Sequence, residues 1–160
     1  MNFGHKIVKA GRSRVGKPFQ NHFKPDNLCD SGTFTLDSCI NRGMSDEGYD
    51  CSGFIIACVA EAFGTDSACW PAELRHVSQM QPLCGEYPAS EGDILVYYPE
   101  LIDGKKTRTH IGIYVAEGIA LHANGMTGVV DEGAVTGGIE RVGVIPWSKL
   151  ALLLMPNAEL

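Results

Sequence analysis

An α+β fold follows from where two kinds of apolar pattern fall in the chain. Before residue 65 the apolar positions recur at helical spacing or fill an Ala-rich run, whereas from residue 91 they come as short β-rich runs separated by Gly-containing turns. Helices first and strands second predict N-terminal helices packed on an antiparallel β-sheet. At 160 residues, with 44% apolar and 20% charged residues, the chain is long enough for one domain with its own core, spanning 1–160.

Phe3, Ile7, Val8 and Val15 fall on one helical stripe with Lys and Arg between them, which predicts a first helix over 3–15, ended by Gly16-Lys17-Pro18. Residues 20–49 are polar and Gly-rich without periodicity and read as a long loop. That loop is either one wall of a cleft or a surface excursion without a role, with Phe34-Thr35-Leu36 as a candidate short strand. Phe54 to Phe63 is apolar and Ala-rich and stops at Gly64, the pattern of a buried helix with a glycine cap. A short helix is expected over 71–80, with Pro71 near its first position. His76 within it reads as a surface or packing residue.

The β half begins at the turn Glu91-Gly92-Asp93, which leads into Ile94-Leu95-Val96-Tyr97-Tyr98, apolar enough to be a central strand. Residues 99–107 read as a polar hairpin loop around Asp103-Gly104. The next strand is expected over 109–115, with a turn at Ala116-Glu117-Gly118 and a return over 119–123. Residues 128–130 and 140–145 are further strands, and 150–155 is a last strand or a short apolar helical turn.

Composition excludes several function classes. The formal charge is −6 with no basic cluster, so nucleic-acid binding by charge is not expected. No apolar run approaches the length of a membrane span, and the N-terminal residues have no apolar signal core. The six cysteines contain no C-x-x-C pair, which argues against a zinc ribbon or a thioredoxin-like site. Cys58 reads as core. Cys29 with Cys39, or Cys69 with Cys84, could bridge outside the cell, but free thiols are expected. The glycines lack phosphate-loop or dinucleotide spacing, and no metal or organic cofactor is expected.

Chemistry centres on Tyr49-Asp50-Cys51-Ser52-Gly53-Phe54, which places a cysteine at the start of the buried helix. The positive end of the helix dipole and its unpaired N–H groups favour thiolate over thiol, and the same N–H groups can hold an oxyanion. His110 and His122 lie on adjacent strands. A two-residue turn would pair 113 with 122 and put the two histidines on opposite faces. A three-residue turn ending at Gly118 would pair 112 with 122 and put them diagonally on one face. In the second case the two imidazoles can serve one site, His110 as base or ion-pair partner for Cys51 and His122 fixing its tautomer.

The segments Asp50-Cys51-Ser52-Gly53-Phe54, Gly92-Asp93-Ile94-Leu95, His110-Ile111-Gly112-Ile113-Tyr114 and Leu121-His122-Ala123 together resemble the NlpC-type, papain-like cell-wall cysteine peptidases. The resemblance covers about residues 5–130 in the family's order. It implies a reduced papain-like fold and a catalytic Cys51–His110–His122 triad. It also implies a peptidoglycan stem peptide as substrate, commonly cut after D-glutamate's γ-carboxyl, with no metal. By the same resemblance Asp50 and Ser52 would hold the free amine of an N-terminal L-alanine, although Asp50 is also a natural helix cap. The family often carries Gly-x-Pro-Tyr before the nucleophile. Here Gly16-Lys17-Pro18-Phe19 has no hydroxyl, and the candidate substitute is Tyr49 or a residue of the long 20–48 loop. Rivals on the same residues are an N-acetylmuramoyl-L-alanine amidase, an acyltransferase, and a phage tail or other binding component with a weakly active site. The expected setting is synthesis in the cytosol and action at the bacterial cell wall or periplasm after delivery or lysis, with an immunity or inhibitor protein as a partner if the domain is a delivered effector.

Overall fold

The computed structural model describes residues 2–19, 49–65, 80–99, 101–102, 105–106, 110–125, 127–135 and 139–154. The expected strand at 34–36, nearly all of the long loop, the helix expected over 71–80 apart from Met80, and Cys29, Cys39 and Cys69 lie outside these residues.

Helix α1 spans Phe3–Arg12. Asn2 caps it by accepting a hydrogen bond from the His5 N–H at 3.1 Å. It ends earlier than the stripe to Val15 predicts, because residues 13–16 form a turn that closes at Gly16, where φ is 91°. Helix α2 spans Cys51–Phe63, and Gly64 terminates it in the left-handed conformation with φ 69°. The sheet is built from β1 (Ile94–Pro99), β4 (His110–Ala116), β5 (Ile119–Asn124), β6 (Val129–Gly133) and β7 (Ile139–Ile145). Its order is β6-β5-β4-β1-β7 and every neighbouring pair is antiparallel. β1 is interior, as its apolar run predicts. The expected polar hairpin loop contains a small ladder, β2 (Leu101–Ile102) with β3 (Lys105–Lys106). The C-terminal apolar segment resolves as helix α3, Trp147–Leu154.

Alternation along the strands separates two faces. Ile94, Val96, Ile111, Ile113, Leu121, Ala123 and Val130 face the helices and share one core with Ile7, Phe54, Ile55 and Val59. Leu95, Tyr97, Ala120 and Val144 occupy the other face. Gly11 lets α1 close on this core: a Cβ there would sit 2.9 Å from Leu121 Cδ1 and 3.4 Å from Phe54 Cζ. At the far end of α2, Phe3 packs edge-on to Phe63 and against Trp147, joining all three helices.

Candidate active site

The start of α2 is tied to one end of the sheet by backbone hydrogen bonds. The segment after α1 runs beside β6: the Val130 N–H donates to Lys17 O at 2.8 Å and the Phe19 N–H to Gly128 O at 2.7 Å. The Tyr49 N–H then donates to Pro18 O at 2.9 Å, which leads the chain directly into Asp50 and Cys51. The turn between β5 and β6 lies at the end of β5, and antiparallel pairing sets that end beside the beginning of β4. His110 is the first residue of β4. The nucleophile candidate and the first histidine therefore share one end of the sheet, although they come from distant parts of the sequence.

Cys51 is half-buried at the first helical position. Asp50 caps the helix, its Oδ1 accepting the Gly53 N–H at 2.6 Å and the Ser52 hydroxyl at 3.4 Å. Both Asp50 and Ser52 are buried. Tyr49, expected to offer a hydroxyl to substrate, is 3% exposed, and its hydroxyl receives a hydrogen bond from Arg14 Nε at 3.1 Å. Arg14 continues to the Ala10 carbonyl and the Glu61 carboxylate, so the structure gives Tyr49 a place in the bracing between α1 and α2. Sequence proximity to Cys51 carried no information about the direction of this side chain. Cys58, on the same helix, is fully buried, and desolvation pushes its thiol well above the ordinary range, which makes it an inert core residue.

The histidines meet. His110 Nε2 and His122 Nδ1 are 2.9 Å apart with their rings edge-to-face. The turn is Glu117-Gly118, with Ala116 paired to Ile119 and Gly118 at φ 74°. A bulge between Tyr114 and Ala116 then shifts the register to Tyr114–Ala120 and Ile113–Leu121. The turn is thus the two-residue one, while the bulge supplies the register of the three-residue alternative. Gly112 comes to lie opposite His122, leaving room on the face that both imidazoles share; a Cβ on Gly112 would lie 3.5 Å from His122 Cβ. Tyr97, paired across the strands with His110, stacks beside its ring.

Burial, then the neighbouring His122, pushes His110 down to about 4, with Asp131 opposing them. His122 is 3% exposed and is also held below the ordinary imidazole range, chiefly by burial and again against Asp131. Both rings are therefore neutral near pH 7, and His110 keeps a lone pair. Sequence reasoning missed Asp131. It is the cross-strand partner of His122, and its Oδ1 lies 3.0 Å from His122 Nε2, close in distance though not aligned as a hydrogen bond. The hairpin after Asn124 contains the signal that could have found it, since the short turn sets Asp131 opposite His122. Among the described residues no group of His, Cys, Asp and Glu has the arrangement of a metal site.

The model of the NlpC/P60 family matches residues 41–142, from before the cysteine helix into β7. The chain belongs to the NlpC/P60 family. Solved NlpC/P60 structures share its fold. The NlpC/p60 domain of the peptidoglycan hydrolase SagA is 23% identical, with a TM-score of 0.52, over 84% of this chain and 90% of that one. RipD from Mycobacterium tuberculosis, described as a non-catalytic NlpC/p60 domain protein adapted to peptidoglycan binding, is 17% identical with a TM-score of 0.55, over 91% of this chain and 97% of that one. NlpC2 from Trichomonas vaginalis is 16% identical with a TM-score of 0.59; 91% of this chain aligns, with 46% of that longer chain. No curated protein matches the chain. The α+β class expected from the sequence is the one these NlpC/P60 structures have.

Proposed function

We propose that this NlpC/P60 domain is a cysteine hydrolase that cleaves an amide in peptidoglycan stem peptides, at the bond from D-glutamate's γ-carboxyl to the following diamino acid. The observation that carries the reading is the pair of neutral imidazoles, His110 and His122, joined at 2.9 Å at the end of the sheet where the Cys51 helix begins. In this reading Cys51 Sγ reaches His110 around the end of the sheet. His122 occupies His110 Nε2, so Nδ1 is the nitrogen left for the thiol.

The thiol gives its proton to His110 Nδ1, and the sulfur attacks the scissile carbonyl carbon. The backbone N–H of Cys51 at the helix start stabilises the oxyanion. His110 returns the proton to the leaving amine, the C–N bond breaks, and a thioester remains. Water, deprotonated by His110, then releases the acid and restores the thiol. Asp50 and Ser52 remain the proposed hosts for a free L-alanine ammonium, alongside the capping of α2 by Asp50 Oδ1. Action at the cell wall after delivery or lysis belongs to the same proposal.

Digestion of purified peptidoglycan by wild type and Cys51→Ala, with products read by mass spectrometry, tests it. Fragments ending in D-glutamate, made by wild type and at least about a thousandfold less by the variant, are the expected result. Intact stems released from muramic acid would move the reading to an amidase. Equal products from both proteins would end the thiol mechanism. A second reading, peptidoglycan binding without turnover, is favoured by the likeness to RipD. It predicts binding without fragments and a Cys51 that ignores alkylating reagents at neutral pH.

A further inference from the structure

The contact between the two histidines leaves a question of proton placement. Each neutral imidazole carries one N–H, and one proton sits between His110 Nε2 and His122 Nδ1. If His122 donates it, His110 carries its own proton on Nδ1 and cannot accept another there. If His110 donates it, Nδ1 keeps a lone pair, and His122 must carry its proton on Nε2. The choice is made at the far side of His122. Its Nε2 is buried, and the polar atom set against it, at 3.0 Å, is Oδ1 of Asp131, a carboxylate oxygen that accepts and does not donate. A lone pair on Nε2 would oppose that oxygen, whereas an N–H is attracted to it.

Asp131 is itself braced. Its Oδ2 accepts hydrogen bonds from Asn124 Nδ2 at 3.1 Å and from the Thr127 hydroxyl at 2.9 Å. Asn124 ends β5 and Thr127 lies in the connection to β6, where the Gly128 N–H closes the turn on Asn124 O at 2.8 Å. The register pairs His122 with Asp131 directly. The turn therefore orients one carboxylate oxygen and leaves the other for the histidine.

We propose that Asp131 is a positioning residue that fixes His122 as the Nε2–H tautomer, and through it fixes His110 as the Nε2–H tautomer with Nδ1 open to the Cys51 thiol. The assignment rests on the thiol mechanism above for its consequence, but the tautomers can be observed without any substrate. The carboxylate also counters the positive charge that His110 acquires when it takes the thiol proton, since it acts to raise both imidazoles against burial. Substitution by Asn is the informative change. Its amide can turn an NH2 toward His122 Nε2, reward the opposite tautomer, and reverse the whole relay with little change in volume.

Two measurements test this. Proton–nitrogen correlation spectra of the imidazoles at pH 7 report which nitrogen of each ring is protonated. Wild type is expected to show Nε2–H on both His110 and His122, and Asp131→Asn to move His122 toward Nδ1–H. The second is the rate of Cys51 alkylation by iodoacetamide at pH 7, followed by site-resolved mass spectrometry. It is expected to fall about 10- to 100-fold in Asp131→Asn and to recover partly in Asp131→Glu. A merely structural carboxylate would move the melting temperature and leave the tautomers alone. Wild type with Nδ1–H on His122 overturns the proposal without any variant, as does an Asp131→Asn protein with unchanged tautomers and unchanged alkylation. If Cys51→Ala still cleaves peptidoglycan, the thiol reading fails, yet the tautomer result stands on its own.

Discussion

His110 carries its protonation in its surroundings. Removal from water is the largest influence on it, and a second imidazole adds to the effect, so the folded ring titrates at about 4, against 6.5 for the free side chain. Between those values the unfolded chain binds a proton that the folded chain does not. Stability therefore falls as pH drops below about 6.5 and stops falling from this source below about 4. His110→Asn should flatten that part of the profile. Wild type is expected to lose about 1–2 kcal/mol more than the variant between pH 7 and pH 4, allowing for the ring's partial exposure. Urea unfolding of both proteins at pH 7, 5.5 and 4 measures the difference, and parallel profiles would refute the burial account.

At the scale of elements, the site depends on how closely helices approach turns. Gly92 opens β1 with φ 87°, and a Cβ on it would sit 2.3 Å from Gly4 Cα, where α1 rests on the turn. Gly118 closes the histidine hairpin with φ 74°, but a Cβ there would meet nothing within 4 Å. The two glycines share a backbone conformation and differ in their surroundings. Gly118→Ala should cost about 1 kcal/mol of backbone strain, whereas Gly92→Ala adds a backbone clash and should cost about 2–4 kcal/mol. Chemical denaturation of the two variants decides between them. Equal losses would mean that α1 can move away from the turn without penalty. The bulge before Ala116 shows the same lesson in a strand: one displaced residue decides whether His110 and His122 share a face.

Across the whole molecule, Asp93 joins parts that the sequence keeps apart. It is buried at the entry to β1, its Oδ2 accepting the Ser90 N–H at 2.8 Å and its Oδ1 the Trp147 N–H at 3.0 Å. One carboxylate thus stabilises the turn before the interior strand β1 and the first N–H of α3, and Trp147 continues into the Phe3 and Phe63 cluster. Asp93→Ala leaves both N–H groups without that acceptor and should cost about 2–4 kcal/mol, seen as a lower urea midpoint with Cys51 alkylation retained at low denaturant. A loss below about 0.5 kcal/mol would show that water replaces the carboxylate.

By itself the sequence determined the order of the layers, the interior strand at Ile94 and the buried helix closed by Gly64, and it supplied Cys51, His110 and His122 as the residues of the proposed thiol site. These features are local: apolar period, glycine conformation and motif spacing act over a few residues. What the tertiary structure alone decided was non-local. The Arg14 contact turned the Tyr49 hydroxyl toward the helices. The strand bulge chose between two registers that the turn residues left open. The pairing of β5 with β6 brought Asp131 against His122. Each depends on which backbone lies alongside which, and burial then sets the charge states, because desolvation exists only once the chain has closed around the ring.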